Sequence, residues 1–309
     1  MKRYYVSSSV PGLDEVGDEV LRKGGSALKA VLTGFFVAAA ERPGVLFSSV
    51  SLLVAGLGVG ARVYDGRARQ PGLGVKRPRG FVEGDVVPLT ARVAVPASLA
   101  ALSIACAYDT GTTLLACVRP GIQASKKLGE QGRADLLEMV GAHGASVLGQ
   151  AAVKRAWLAQ FGPAEGGNCS AADLAAPSGL DGPALAEGPF YRLPWEMDDV
   201  IEQFRPTVGH ASVAVDAHGQ LVALAFGELA EDVQLEPFSV YVPLLAEPVR
   251  RGVARFGPGS ALPSTAALQV EKNAEGALIG VAAWPRGRQG ASVIRLGRDP
   301  QSKTVAALS

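Results

Sequence analysis

The chain has 309 residues, of which 48% are apolar and 19% are charged, and its formal net charge is +1. So large an apolar share excludes global disorder, and the length suffices for one large domain or two small ones. Nucleic-acid-binding proteins usually carry a clustered basic excess, so the balance of 30 Lys and Arg against 29 Asp and Glu argues against such a partner. Few charges and little net charge also favour association over a freely soluble monomer.

The three cysteines, Cys106, Cys117 and Cys169, cannot all pair with one another, and their spacing fits no zinc-binding pattern. Cys106 and Cys117 lie in apolar surroundings, where cysteine behaves as a small buried hydrophobic residue. Free cysteines are typical of a reducing compartment, so we expect a cytoplasmic protein.

Residues 44–61 form the best candidate for a membrane span, because they are uncharged over about the 18 residues that a transmembrane helix needs. The segment also holds three serines and four glycines, which suit a buried strand better. The first residues are basic but no apolar stretch follows them, so no signal peptide is predicted. We therefore expect neither a leader nor a span.

Two helices and a strand region are predicted at the start of the chain. Residues 13–23 place their apolar side chains on one helical face, and the glycines at 24–25 are typical of a helix C-terminus. Ser26 stands where an N-cap belongs, before the apolar helix 27–40. Residues 44–64 are typical of one or two buried strands.

A basic, turn-rich stretch at 65–92 predicts a solvated loop, and helices are predicted again after it. These helices cover residues 97–108, 121–128 and 134–161, and Asp-Thr-Gly and Arg-Pro-Gly sequences separate them. Residues 1–161 are therefore predicted to form a helix-rich half.

Between residues 162 and 194, Gly, Pro, Ala and Ser dominate, which predicts a linker or mobile segment. Residues 195–309 form a strand-rich half. Its predicted strands are 210–215, 220–226, 238–244, 267–272, 278–284, 291–295 and 304–308. The turns at 216–219 and 273–276 are typical of hairpins. Helices first and antiparallel hairpins later indicate an α+β fold, in which the two halves pack as one domain.

Seven short segments follow one another in an order that carries a family resemblance. They are VGDEVLRKGGSA (16–27), DGRARQP (65–71), VAVP (93–96), RPGI (119–122), HASVAVDAHGQ (210–220), LPST (262–265) and WPRG (284–287). In this order they resemble the γ-glutamyltransferase family of N-terminal nucleophile hydrolases. The resemblance implies a layered sandwich in which helices flank two sheets (αββα). It also makes the first half similar to that family's large subunit and the second half similar to its small subunit.

The position of the family's catalytic threonine is where this sequence departs most from the pattern. Members of the family cleave themselves so that a threonine becomes a new N-terminus, whose hydroxyl attacks while its α-amine acts as base. Counting from His210, the two threonine positions are occupied by Val208 and Gly209, and counting back from Asp216 also gives Gly209. Neither side chain can attack a carbonyl. Thr207 is the one nearby hydroxyl, displaced by one or two residues.

At other positions that matter for the family's chemistry, some of the family's residues are replaced in this sequence and others are kept. Only Gly287 remains of the paired glycines whose N–H groups stabilise the oxyanion. Ala68 replaces a glutamate beside the substrate-binding arginine, and Lys29 replaces a helix aspartate. Arg67 is retained, and the resemblance implies that it holds the α-carboxylate of a glutamyl ligand. The alternative is that Arg67 is one cation among several in a solvated loop.

The resemblance and these losses together predict a catalytically inactive γ-glutamyltransferase-like protein that acts in assembly or in ligand binding. The alternative is a self-processing amidohydrolase that uses Thr207 as its nucleophile. The predicted substrate-binding residues are Arg67, Ser264, Thr265 and Gly287, with a γ-glutamyl or amino-acid ligand.

The expected partner is a second copy of the chain, in a homodimer or larger oligomer, or a homologous chain. No metal or cofactor is expected, because the sequence has no zinc-type spacing, no Walker-A loop and no glycine-rich loop between a strand and a helix.

Overall fold

The computed structural model describes residues 4–56, 60–75, 81–82, 84–175, 177, 179–195, 208–230, 233–245, 256–264, 266–284, 292–296 and 303–305. The helices within these ranges are α1 (Leu13–Arg22), α2 (Ala27–Glu41), α3 (Ser98–Tyr108), α4 (Leu114–Lys127), α5 (Gln131–His143) and α6 (Ala151–Phe161). Short 3₁₀ helices occupy Leu89–Arg92, Gly144–Gly149 and Pro163–Glu165. The described part thus combines helices and strands, as predicted for an α+β fold.

Within the described residues, the strands form two six-stranded antiparallel sheets and a small ribbon. The first sheet has the order β1 (Tyr5–Ser8), β7 (Val208–Val215), β8 (Leu221–Glu228), β2 (Val50–Ala55), β3 (Ala61–Gly66), β4 (Asp181–Pro183). The second has the order β14 (Lys303–Val305), β13 (Ser292–Leu296), β12 (Leu278–Trp284), β11 (Ala267–Lys272), β6 (Phe190–Arg192), β5 (Leu185–Glu187). The ribbon pairs β9 (Gln234–Leu235) with β10 (Val240–Tyr241). Strands from both halves of the chain share each sheet.

Two hydrophobic cores lie on opposite faces of the first sheet. The helix-side core joins the described helices to one face of that sheet and contains Phe35, Phe36 and Trp157. The inter-sheet core lies between the two sheets, and its members are small or aliphatic, such as Ala223 and Val213. Because successive strand residues point to opposite faces, each central strand of the first sheet contributes to both cores.

The N-terminal predictions are confirmed, with the predicted cap. Ser26 Oγ accepts a hydrogen bond from Lys29 N at 3.1 Å, which begins α2 as an N-cap. Residues 44–61, the membrane candidate, contain strand β2 and lead into β3, and β2 is buried along its whole length. Within the described residues, no helix combines the length and apolar character needed to cross a bilayer.

The predicted helix boundaries between 108 and 161 are wrong. Helix α4 begins at Leu114 rather than at 121, and Pro120 lies inside it. Gly121 allows α4 to approach α2, because a Cβ there would lie 2.4 Å from the carbonyl oxygen of Phe36. The single helix predicted at 134–161 is broken, since Gly144 adopts φ +52° and a 3₁₀ segment separates α5 from α6.

The strand-rich half matches its predicted hairpins, with smaller differences elsewhere. The turn at 216–219 joins β7 to β8, and the turn at 273–276 joins β11 to β12. The strand predicted at 238–244 is reduced to the two residues of β10. Residues 181–192, inside the predicted linker, form β4, β5 and β6 and so belong to both sheets.

The first hairpin also holds the start of α2. Asp216 Oδ2 accepts a hydrogen bond from Ala27 N at 3.1 Å, and Gln220 Oε1 accepts one from Leu28 N at 2.8 Å. These two N–H groups have no partner within the helix itself. The Asp216–Gln220 stretch of the family-like segment therefore joins the C-terminal hairpin to an N-terminal helix.

Candidate functional site

A row of four residues crosses one end of the first sheet. Gly209 pairs with Gly227 in the β7–β8 register. Val50 pairs with both Phe226 and Gly66, so the preceding residue, Ser49, falls between Gly227 and Arg67. A hydrogen bond from Ala68 N to Ser49 Oγ at 3.1 Å supports this placement. We call Gly209, Gly227, Ser49 and Arg67 the edge row; it spans about 14 Å at the usual strand spacing.

The edge row faces the second sheet. Residues an even number of positions further along these strands, such as Ala211, Ala225 and Val63, belong to the inter-sheet core. Strand alternation therefore turns the edge row toward that sheet as well. The row begins with two glycines, so its β7 end offers backbone but no nucleophilic side chain. Ser49 is its one hydroxyl.

Arg67 is held by an ion pair with its near neighbour in sequence. Its Nε lies 2.8 Å from Asp65 Oδ1 and its Nη2 lies 3.0 Å from Asp65 Oδ2, which makes a bidentate pair. The guanidinium carbon also lies 4.7 Å from the centre of the Trp195 ring. The Arg67 side chain is only 14% exposed. The solvated-loop interpretation of Arg67 is therefore wrong, because the residue directly follows β3 and its side chain is largely buried against Asp65 and Trp195.

A second arginine shares the same carboxylate. Arg69 Nη2 lies 3.1 Å from Asp65 Oδ2 and 3.2 Å from the Asp65 carbonyl oxygen. Asp65 is 7% exposed and Arg69 has a 14% exposed side chain. One negative charge therefore faces two positive charges in a largely buried cluster. Because Arg67 makes the bidentate contact, Arg69 is the less fully neutralised of the two.

Ser264 lies on a segment that runs beside Arg67. Leu262 N donates to the Ala68 carbonyl oxygen at 2.9 Å, which brings this segment against the residue that follows Arg67. Ser264 Oγ accepts a hydrogen bond from Ala266 N at 3.3 Å. Ala68, where the family has a glutamate, is fully buried in a small apolar cluster that includes Leu262.

Three predicted site residues, Thr207, Thr265 and Gly287, lie outside the described residues. Each has a described chain neighbour close by. Val208 begins β7, Ser264 precedes Thr265, and Trp284 ends β12 at the end of the second sheet where β11 begins. The structure thus brings the Arg67 and Ser264 segments together and leaves the other three predictions as they stand.

The opposite face of the same sheet end carries a different polar group. His210 Nε2 and Arg42 Nη1 contact Glu228 Oε2 at 2.9 Å and 2.8 Å respectively. The His210 ring lies 5.3 Å from the ring of Phe226, a member of the helix-side core. Partial burial raises the pKa of Glu228, but the hydrogen bonds from His210 and Arg42 outweigh it and leave the pKa below its ordinary value. These residues connect the sheet to the end of α2.

Sequence reasoning did not single out Asp65, Trp195, Ser49 or Arg69 as parts of the site. Asp65 could have been predicted from the sequence, because it belongs to the same DGR segment that carries Arg67. Ser49 could not, since its place beside Gly227 depends on strands far apart in sequence. In the described part of the chain, no group of three or more His, Cys, Asp or Glu side chains is arranged to hold a metal ion.

Comparison with known proteins identifies the fold. No model of a known protein family matches the sequence, and no curated protein matches it. The solved structure of LmbA2991HD is 15% identical and superimposes with a TM-score of 0.64, over 90% of this chain and 77% of that one. The cephalosporin acylase from Bacillus halodurans is 14% identical, with a TM-score of 0.64 over 91% of this chain and 77% of that one.

A gamma-glutamyltranspeptidase from Helicobacter pylori is 19% identical, with a TM-score of 0.41 over 54% of this chain and 61% of that one. The fold conclusion comes from the LmbA2991HD and acylase structures, which cover nearly the whole chain. At such low identity they show a shared fold and nothing more. The chain has the fold of N-terminal nucleophile hydrolases, as the sequence predicted.

Proposed function

We propose that this chain is a non-catalytic protein with an N-terminal nucleophile hydrolase fold, which acts through ligand binding and self-association. The observation that carries the proposal is the pair Gly209 and Gly227 at the β7 end of the edge row. The family's reaction needs a hydroxyl or thiol at the start of this strand. The described start of β7 reads Val208, Gly209, His210, and none of these carries a hydroxyl or a thiol.

Intact mass under denaturing conditions tests the catalytic part. A non-catalytic chain stays in one piece at 31.8 kDa. Self-processing at Thr207 would instead give two fragments, with Thr207 as a new N-terminus, and would establish the amidohydrolase alternative. The matched control is Thr207→Ala, which would abolish such cleavage. Hydrolysis of a γ-glutamyl anilide should be at background in both chains, and turnover that is lost in Thr207→Ala would contradict the proposal.

The ligand part of the proposal uses Arg67 with Ser264, Thr265 and Gly287. A guanidinium suits a carboxylate, but two of the Arg67 donors already bind Asp65. Three N–H donors remain for a glutamate or glutathione carboxylate, one on Nη2 and two on Nη1. Because Asp65 already offsets the charge of Arg67, we expect weak binding. Calorimetry with glutamate and glutathione tests this. Arg67→Ala should remove whatever heat of binding is seen, and unchanged binding would exclude Arg67 from the site.

Self-association is supported by the low charge content and by exposed apolar side chains that lie close together in sequence. Val82, Val86 and Leu89 are 50%, 95% and 40% exposed. Exposed apolar clusters on a soluble protein usually mark a contact surface, and a two-fold homodimer is the commonest arrangement. Light scattering after size-exclusion chromatography should give twice the chain mass at micromolar concentration. A clean monomer without a partner would refute this part.

A further inference from the structure

A cavity of about 380 Å³ lies on the helix side of the first sheet, apart from the edge row. Its apolar wall is formed by Phe47, Val95, Leu99, Ala100, Val147 and Leu148. Loops that contain Leu73, Ala172 and Pro258 complete it. No residue of the edge row lines this cavity. Its volume lies within the range of small-molecule sites, and such sites typically combine apolar walls with a few polar groups.

Arg69 is the basic residue among the described residues that line this cavity, and its backbone is fixed. Arg69 and Val95 exchange two backbone hydrogen bonds, at 2.7 Å and 3.0 Å. The two hydrogen bonds that the guanidinium makes within the described part of the chain both use Nη2. Its Nε is buried and has no partner there. Because Nε is enclosed by protein, Nη1 is the guanidinium nitrogen left to meet a ligand at this cavity wall.

The charge around Arg69 is incomplete. Asp65 supplies one negative charge, which Arg69 shares with Arg67, the bidentate partner of that carboxylate. Burial lowers the pKa of Arg69 from its ordinary value, because removal from water disfavours the charged form. An anion beside the guanidinium would relieve this cost.

Asp173, the acidic residue of the cavity, does not supply that anion. Its carboxylate accepts hydrogen bonds from Gly72 N at 3.0 Å, Leu73 N at 2.9 Å and Ser170 N at 2.7 Å. Three backbone donors satisfy this carboxylate, so it ties two loops together at the cavity. Neutral Ser260 is another polar residue of the wall.

We propose that this cavity binds a small apolar carboxylate, with its hydrocarbon part against the wall from Phe47 to Leu148 and its carboxylate on Arg69. The combination of a guanidinium that shares its one counter-charge with Arg67 and a largely apolar lining selects this chemical class. A zwitterionic amino acid fits poorly, because its ammonium group would be buried without a counter-charge other than Asp173, whose oxygens are already bonded. The cavity shares no lining residue with the edge row, but Asp65 links the two sites because it pairs with both Arg69 and Arg67.

Isothermal titration of the full chain with octanoate and with 1-octanol tests the proposal without any substitution. Both probes carry the same hydrocarbon chain, and only octanoate carries the charge. We expect octanoate to bind with one site per chain and at least about tenfold more tightly than octanol, as a charge-assisted hydrogen bond implies. Equal affinities, or no octanoate binding, would overturn the proposal.

Two variants of helix α3 then locate the site. Ala100 is buried at the cavity wall, whereas Ala107 is exposed on the same helix. Ala100→Phe should fill the cavity and abolish octanoate binding, and the matched Ala107→Phe should bind as the parent chain does. Arg69→Gln should reduce octanoate affinity to that of octanol. Octanoate binding that survives Ala100→Phe would place the ligand elsewhere and refute the proposed site.

Discussion

The two faces of the first sheet are built from the same strands but from different kinds of side chain. The helix-side core contains Phe35, Phe36, Phe47 and Trp157, several of them in edge-to-face aromatic contacts. The inter-sheet core has only small and aliphatic residues among its fully buried members. Large aromatic side chains on one face pack the helices against the sheet, while small side chains on the other face let the two sheets approach closely.

The polar groups follow the same division. On the helix side, Glu228 is shared by His210 and Arg42 and stays partly exposed. On the inter-sheet side, Asp65 is buried between two arginines next to the edge row. We therefore expect the helix-side core to contribute more to stability through apolar packing than the inter-sheet core does. Of the two ion-pair clusters, we expect the Asp65 cluster to contribute more. Four experiments can break or sharpen this contrast.

Aromatic packing should give the largest effect. Phe36 is fully buried in α2, and Phe36→Ala should reduce the free energy of unfolding by about 3–5 kcal/mol, because it leaves a cavity as well as losing apolar burial. Val213→Ala in the inter-sheet core removes two carbon atoms and should cost about 2 kcal/mol. Equilibrium unfolding in urea measures both. Equal losses would show that the two cores are equally important.

The second largest effect should come from the two charged clusters, which should differ in their contribution to the free energy of unfolding. Asp65→Asn leaves two arginines without their carboxylate, and we expect a loss of about 3 kcal/mol. Glu228→Gln removes a partly exposed ion pair and should cost about 1 kcal/mol or less. Urea denaturation of the two variants, with the parent chain as reference, gives the comparison. A larger loss of stability for Glu228→Gln would show that the Glu228 cluster, and not the Asp65 cluster, contributes more to the stability of the fold.

Two helix glycines sharpen the contrast within the helix side. A Cβ at Gly121 would meet the Phe36 backbone at 2.4 Å, so Gly121→Ala should destabilise the fold by about 1–3 kcal/mol. At Gly141 a Cβ would meet the movable end of Leu115 at 2.8 Å. There the better helix propensity of alanine should dominate, with a gain of up to about 1 kcal/mol. Thermal unfolding should shift the two midpoints in opposite directions.

The pH dependence of Glu228 should give the smallest effect. Its pKa in the folded chain lies below its ordinary value of 4.5, so its contribution to stability is complete above pH 4.5 and is lost as the pH falls through the folded value. The stability difference between the parent chain and Glu228→Gln should therefore shrink below pH 4.5, by less than about 1 kcal/mol. Urea unfolding between pH 3 and pH 7 measures it. A difference that grows on acidification would show the opposite pKa shift.

Local sequence patterns alone predicted much of the secondary structure. Helix α1, the Ser26 cap of α2 and both hairpin turns depend on residues within a few positions of one another. Predictions from local patterns were wrong where a contact with a residue far along the chain determines the secondary structure. Pro120 and Gly121 look like a helix break, yet α4 continues through them because it packs closely on α2. Arg67 was proposed from the DGR segment as a ligand-binding residue, and this role stays a prediction.

The edge row and the cavity were decided only by the tertiary structure. Ser49 reaches Gly227 because β2 pairs with β8, and that register joins residues more than 150 positions apart. The burial of Arg69 depends on Val95 and on loops around Asp173. A sequence fixes which residues can be apolar, charged or flexible within a short window, since those properties act over one or two turns. Which charges share a carboxylate, and which apolar surfaces enclose a cavity, depends on contacts between residues far apart in the sequence, which no short window contains.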